Sequence, residues 1–140
     1  MDFKKLAIVS LVGGLIYFFG GWIIYDMILG SFFEGHVGTA QGVAKEVPDL
    51  WAVALGSLTA GLLLAYIFLQ WAGIKTAATG AKAGALIGFL YALSFDFTQY
   101  GLSNLFDIVA LFADPIVYAV VSGLAGAAIG WVLGRGEVAS

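Results

Sequence analysis

Four apolar segments, each about 20 residues long, dominate the chain at approximately Leu6–Gly30, Leu50–Gly73, Ala81–Phe106 and Pro115–Gly134. A helix needs about 20 apolar residues to cross roughly 30 Å of hydrocarbon. No stretch alternates as a strand does, and lipid cannot satisfy an open sheet edge, so helices are the spanning structure to expect. The predicted fold is therefore all-α and integral to the membrane: one domain, residues 1–140, built as a bundle of four transmembrane helices. Composition agrees, with 61% hydrophobic and 11% charged residues among 140, against about 25% charged in soluble domains. Mean hydropathy is +1.00.

Lys4 and Lys5 precede the first apolar run as they would in a signal peptide. The run continues from Leu6 to Phe33, longer than a cleaved apolar core of about 7–15 residues, and is read as a retained span. Lys4, Lys5, Lys75, Lys82 and Arg135 fall on one side of the four spans and Lys45 alone on the other. By the positive-inside rule both termini and the middle connection are cytoplasmic, which predicts a multi-pass protein of the inner (plasma) membrane. The outer side is acidic, with Glu34, Glu46, Asp49, Asp107 and Asp114. A net charge of −3 leaves no basic surface for nucleic acid. With no cysteine, disulfides, thiolate metal sites and cysteine nucleophiles are excluded.

The halves 1–73 and 74–140 echo one another. Gly13-Gly14-Leu15-Ile16-Tyr17-Phe18 resembles Gly84-Ala85-Leu86-Ile87-Gly88-Phe89, and Trp51 to Gly56 resembles Tyr118 to Gly123. Two tandem helical hairpins of like orientation follow, related by an axis along the membrane normal. Asp114 reads as an N-cap with Pro115 at the first helical position, where a missing N–H costs nothing. Gly80, Gly84 and Gly88 open the third span; Gly126, Gly130 and Gly134 close the fourth. Small residues at spacing four let helix backbones approach closely, here at the cytoplasmic end, or else serve a homodimer. Bulkier and polar residues would spread the outer half into a cleft facing the acidic side.

The candidate site lies in the third span. Asp96, Gln99, Tyr100, Ser103 and Asp107 fall at i, i+3, i+4, i+7 and i+11, one polar stripe on a continuous helix. An acid at membrane depth is costly and faces a bundle interior or a wet cavity. Asp26 is expected near the outer boundary and on the same cavity. Asp96 is placed either slightly outward of the midplane or as shallow as Asp26. The pair reads either as a protonatable or cation-binding site, or as hydrogen-bonding nodes for Tyr17, Tyr25, Gln99, Tyr100 or Tyr118. His36 with Glu34 is a weak metal set, so no metal is expected and His36 reads as a solvated loop residue. Trp22, Trp51, Trp71 and Trp131 lie near span ends, where indole anchors at the interface. A pigment or lipid is compatible with such spans, but no residue points to one and no cofactor is expected.

Phe19-Gly20-Gly21-Trp22-Ile23-Ile24-Tyr25, followed by Phe32-Phe33, resembles the opening helix of small four-pass bacterial membrane proteins of unknown function. Gly84-Ala85-Leu86-Ile87-Gly88 and the Tyr118 to Gly130 stretch fit their layout over about half the chain. That resemblance implies fold and localisation only; Asp26 and Asp96 belong to no pattern it carries. No Ser/His/Asp order, zinc motif or phosphate loop occurs, so no enzyme is expected. The function expected is an accessory or structural subunit of a larger membrane assembly, with other membrane subunits, further copies of itself and lipid as partners. The alternative is a small carrier or channel-like protein that binds a cation, proton or amphipathic ligand in the outward acidic cleft.

Overall fold

Asp2 starts the first helix by accepting the Lys5 N–H at 3.0 Å, which satisfies one of the free donors of the first turn. In the computed structural model, which describes residues 1–138 and side chains through 135, α1 runs Phe3–Ile28. Its first half, the end that the charge bias would place inside, is α-helical over Phe3–Leu15. Its outer half winds into wide i→i+5 turns over Ile16–Gly20 and Trp22–Ile28. A short α2 (Gly30–Glu34) and the loop 35–49 lead to α3 (Leu50–Ala72), which also widens over Ile67–Ala72. Gly73 ends α3 in the left-handed conformation, with φ 62°, a backbone state that glycine adopts at no steric cost. Thr76 then caps α4 (Ala77–Leu102) by accepting the Thr79 N–H at 3.1 Å. The last helix, α5, covers Ile108–Val138. Four of these helices are long and apolar enough to cross a membrane.

The last connection corrects the sequence reading in three ways. Helix α4 stops at Leu102, and Ser103 to Asp107 form an extended link rather than further helix. The polar stripe therefore breaks: Asp96, Gln99 and Tyr100 are helical, whereas Ser103 and Asp107 are not. Helix α5 begins at Ile108, not at Pro115, and its N-cap is Asp107, which accepts from Val109 N (2.9 Å) and Ala110 N (3.0 Å). Pro115 sits inside α5 and is fully buried. Proline there removes one donor from the helix ladder, a cost that burial of its ring in the core offsets.

Helices pack as two hairpins, α1 with α3 and α4 with α5, and the second joins the first chiefly through α5. At the inner end Lys5, Gly73, Lys75 and Leu133 line one small cavity, so the start of α1, the α3–α4 link and the end of α5 lie together. At the outer end the loop pairs with the last connection. Gly38 N donates to Leu105 O, Ala40 N to Asn104 O, and Asp107 N to His36 O, each at 3.0 Å.

Tight backbone seams hold both hairpins. A Cβ added to Gly80 would strike Gly126 O, one on Gly84 would strike Ser122 O, and one on Gly130 would strike Thr76 O. Gly134 meets Lys75 O in the same way. A second seam joins α1 to α3: a Cβ on Gly61 would collide with Gly14 N and Ser10 O, and one on Gly14 with Leu58. Between the seams lies an apolar core of Val9, Leu64, Phe68, Ala125, Ile129 and Leu133, all essentially inaccessible. Large apolar side chains point outward over most of the surface, Trp51 and Trp71 among them, as lipid-facing helices require. Arg135 lies 3.7 Å over the Trp131 ring at the inner end.

Candidate functional site

Asp96 projects from α4 into the bundle and is 5% exposed. One of its oxygens, Oδ2, has no hydrogen-bonding partner among the described residues. The other side of the carboxyl faces Asp114 of α5, whose carboxyl lies within hydrogen-bonding reach. Each acid stands about 9 Å inside the outer end of its helix, counted at 1.5 Å per residue from Leu102 and Ile108. Tyr25 of α1 completes the cluster, with its hydroxyl 3.5 Å from the Asp114 carbonyl oxygen. Its ring packs against Phe33, centroids 5.3 Å apart.

The other candidate residues divide into three groups. Asp26 is exposed and lines a groove between α1 and α3 with Trp22, Pro48 and Leu50, so it does not share a cavity with Asp96. The i→i+5 winding changes the angle between successive residues, which carries Tyr25 inward where Asp26 was expected. Gln99 is half-buried, and its carbonyl accepts from Ser103 N and Ser103 Oγ, both at 2.8 Å. Tyr100 is exposed and packs its ring 6.4 Å from Phe106. Tyr100, Ser103 and Asp107 share an outer pocket with Gly38 and Thr39, apart from the acid pair.

Tyr118 lies one turn inward of Asp114. Its ring sits 6.0 Å from Tyr17 and 6.1 Å from Tyr91. The Tyr17 hydroxyl donates to Ser122 Oγ at 2.9 Å. These tyrosines form the floor of a cleft of about 550 Å³ between α3 and α4, walled by Trp51, Leu55, Thr59 and Ile87. The cleft's lining is mostly apolar, and its volume falls within the usual range of ligand pockets, about 300–1,000 Å³.

His36 is not a freely solvated loop residue. Its Nδ1 lies 2.7 Å from Asp107 Oδ2, and its ring packs at a tilt of 48° against Phe32 with centroids 4.8 Å apart. The Ala110 N–H, and then the His36 ring, hold the Asp107 carboxyl below the usual carboxylate range. A lowered folded value means that the stabilisation is complete above about pH 4, the unfolded value, and is lost as pH falls through the folded one. Protection of the Gly38 and Ala40 amides, taken relative to their intrinsic exchange rates at each pH, should therefore be high at neutral pH and fall on acidification. In Asp107→Ala protection should be low at every pH.

Asp114 is the residue that the sequence reading assigned a different role. Its signal was present: Asp114, Tyr118 and Ser122 recur every four residues, in register with Gly126, Gly130 and Gly134. The pattern becomes visible once Ile108, rather than Pro115, is taken as the start of the helix.

Four apolar spans, with a buried acid that faces a half-exposed one, define a multi-pass membrane protein with a polar cluster inside its helical bundle. No family model matches the chain, nor does any curated protein or solved structure.

Proposed function

We propose that the protein binds a proton or small cation at the Asp96–Asp114 pair, as a small ion-binding protein of the plasma membrane. The observation that carries this reading is the shielded Asp96 carboxyl, with one oxygen unpartnered and a second acid facing it. Two carboxylates so close in a poorly solvated site repel each other, and a shared proton or a bound cation removes the repulsion. A purely structural node would satisfy both oxygens. Potentiometric titration of the detergent-solubilised protein tests it. Wild type should take up a proton, or exchange one for sodium, that Asp96→Asn does not. Identical titrations would overturn the reading.

Orientation follows the charge bias. Lys4, Lys5, Lys75, Lys82 and Arg135 support a cytoplasmic inner end, with the 35–49 loop outside. In intact cells a membrane-impermeant thiol reagent should label Gln41→Cys and spare Ala78→Cys; the converse would invert the topology. The tandem duplication has support in the two glycine seams, one per hairpin. A second functional reading, as a subunit of a larger membrane assembly, draws on Gly56. It lies on the exposed surface of α3, with no atom within 4 Å of where a Cβ would stand, so another helix has room to approach closely. A stoichiometric partner on purification from native membrane would favour that reading. Neither reading invokes catalysis or a cofactor.

A further inference from the structure

Two rows of residues at spacing four face each other across the α4–α5 contact. On α4 they are Thr76, Gly80, Gly84, Gly88, Ala92 and Asp96; on α5, Asp114, Tyr118, Ser122, Gly126, Gly130 and Gly134. From the outer end inward, the acid pair gives way to Ala92 and Tyr118, and then to Gly88 against Ser122. The Ser122 side chain already fills the place of the missing Gly88 Cβ. Inward of Ser122 the seam is backbone on backbone. Across α5 the same depth is plugged by Ile129 and Leu133 against Leu64, Phe68 and Val9, all shielded from solvent. The hydroxyl chain ends with Tyr17 on Ser122. Ser10, a buried polar side chain farther in, has no partner among the described residues and continues nothing. From Ser122 to Arg135 the closed length is about 20 Å at 1.5 Å per residue.

We propose that the acid pair exchanges its proton or cation with the 35–49 loop face alone, so that the protein binds an ion at one membrane surface without conducting it. The inference rests on the ion-binding reading above and adds a direction to it. Among the described residues the ionisable groups facing Asp96 are Asp114 of α5 and Tyr25 of α1, and Asp114 in turn faces Tyr118, all in the outer half of the bundle. Among the described residues, the atoms that meet the seam glycines between Ser122 and Gly130 are backbone and Ser122, Tyr118 and Ala85 side chains, none of them an acid or a base at the inward end. An ion leaving inward would have to force apart helix backbones that are in contact, or cross an apolar plug. Outward, Asp114 is half-exposed and lies only six residues after Ile108, where α5 begins beside the loop.

Sealed liposomes holding the protein in a single orientation, verified by labelling Gln41→Cys, test this. The Asp96 carboxyl infrared band, assigned by its loss in Asp96→Asn, is followed after a pH step outside. With residue 41 facing out, the band should change as fast as the solutions mix. With residue 41 facing in, it should change only as the lumen equilibrates. Ion leak measured with a trapped pH dye should match that of protein-free liposomes. Repeating the step in sodium and in choline salts separates the two ions: a response to pH in choline identifies a proton, and one to sodium at fixed pH identifies a cation. Equal speed from both faces, or leak above the protein-free rate, would overturn one-sided exchange while leaving the ion site standing. No band change in either orientation or in detergent would sink the ion site as well.

Discussion

Replacing Gly126 by leucine is expected to be the most damaging single change in the bundle. A Cβ there would collide with Gly80 O and come within 3.0 Å of Gly84 Cα, and neither is a side chain that can turn away. Overpacking against side chains typically costs about 1–3 kcal/mol; against backbone, the top of that range or beyond is expected. The same substitution at Gly56, where nothing lies within 4 Å, should change stability by no more than about 0.5 kcal/mol. Unfolding by SDS titration in mixed micelles would compare the two. Equal midpoints would show that the α4–α5 seam does not hold the fold together.

Asp96 gives the second large effect, and its two substitutions should behave differently. Asp96→Asn keeps the shape, offers Asp114 a donor and removes one charge, so stability at neutral pH should hold or rise. Asp96→Leu strips Asp114 of its facing polar partner inside the bundle, which costs about 1–3 kcal/mol for the group left unsatisfied. The same SDS titration reads both. A leucine variant as stable as wild type would mean that the Asp114 carboxyl finds water readily, and the acid pair would lose its significance.

The apolar lengths revealed the four spans because membrane crossing demands length and hydropathy, both of which are local properties of sequence. The site was only half legible. Asp96 was found because an acid inside an apolar run stands out wherever the helix boundaries fall. Asp114 was missed because Asp-Pro is a strong local signature for a helix start. Tertiary burial of Pro115 overrode that signature and moved the cap seven residues back to Asp107. Asp26 was misplaced for a different reason. Its facing was inferred from a constant turn angle, and the i→i+5 winding of outer α1 breaks that constancy. His36 could not be read at all, since its partner Asp107 lies 71 residues away and no periodicity links them.

The clasp between the outer loop and the last connection also bears on the order of assembly. Residues 36–40 and 104–107 belong to different hairpins, so their pairing cannot form while either hairpin stands alone. Each hairpin can close on its own glycine seam as it enters the bilayer, with short-range contacts that form quickly. The clasp comes last, after both have inserted and met. It also checks the result: the backbone bonds and the His36–Asp107 contact need α5 in one rotational setting and at one height relative to α1. A hairpin docked a turn too deep, or rotated by a residue, leaves the loop without partners. The outer surface thus carries a proofreading mark that distinguishes a finished bundle from two inserted but mismatched halves.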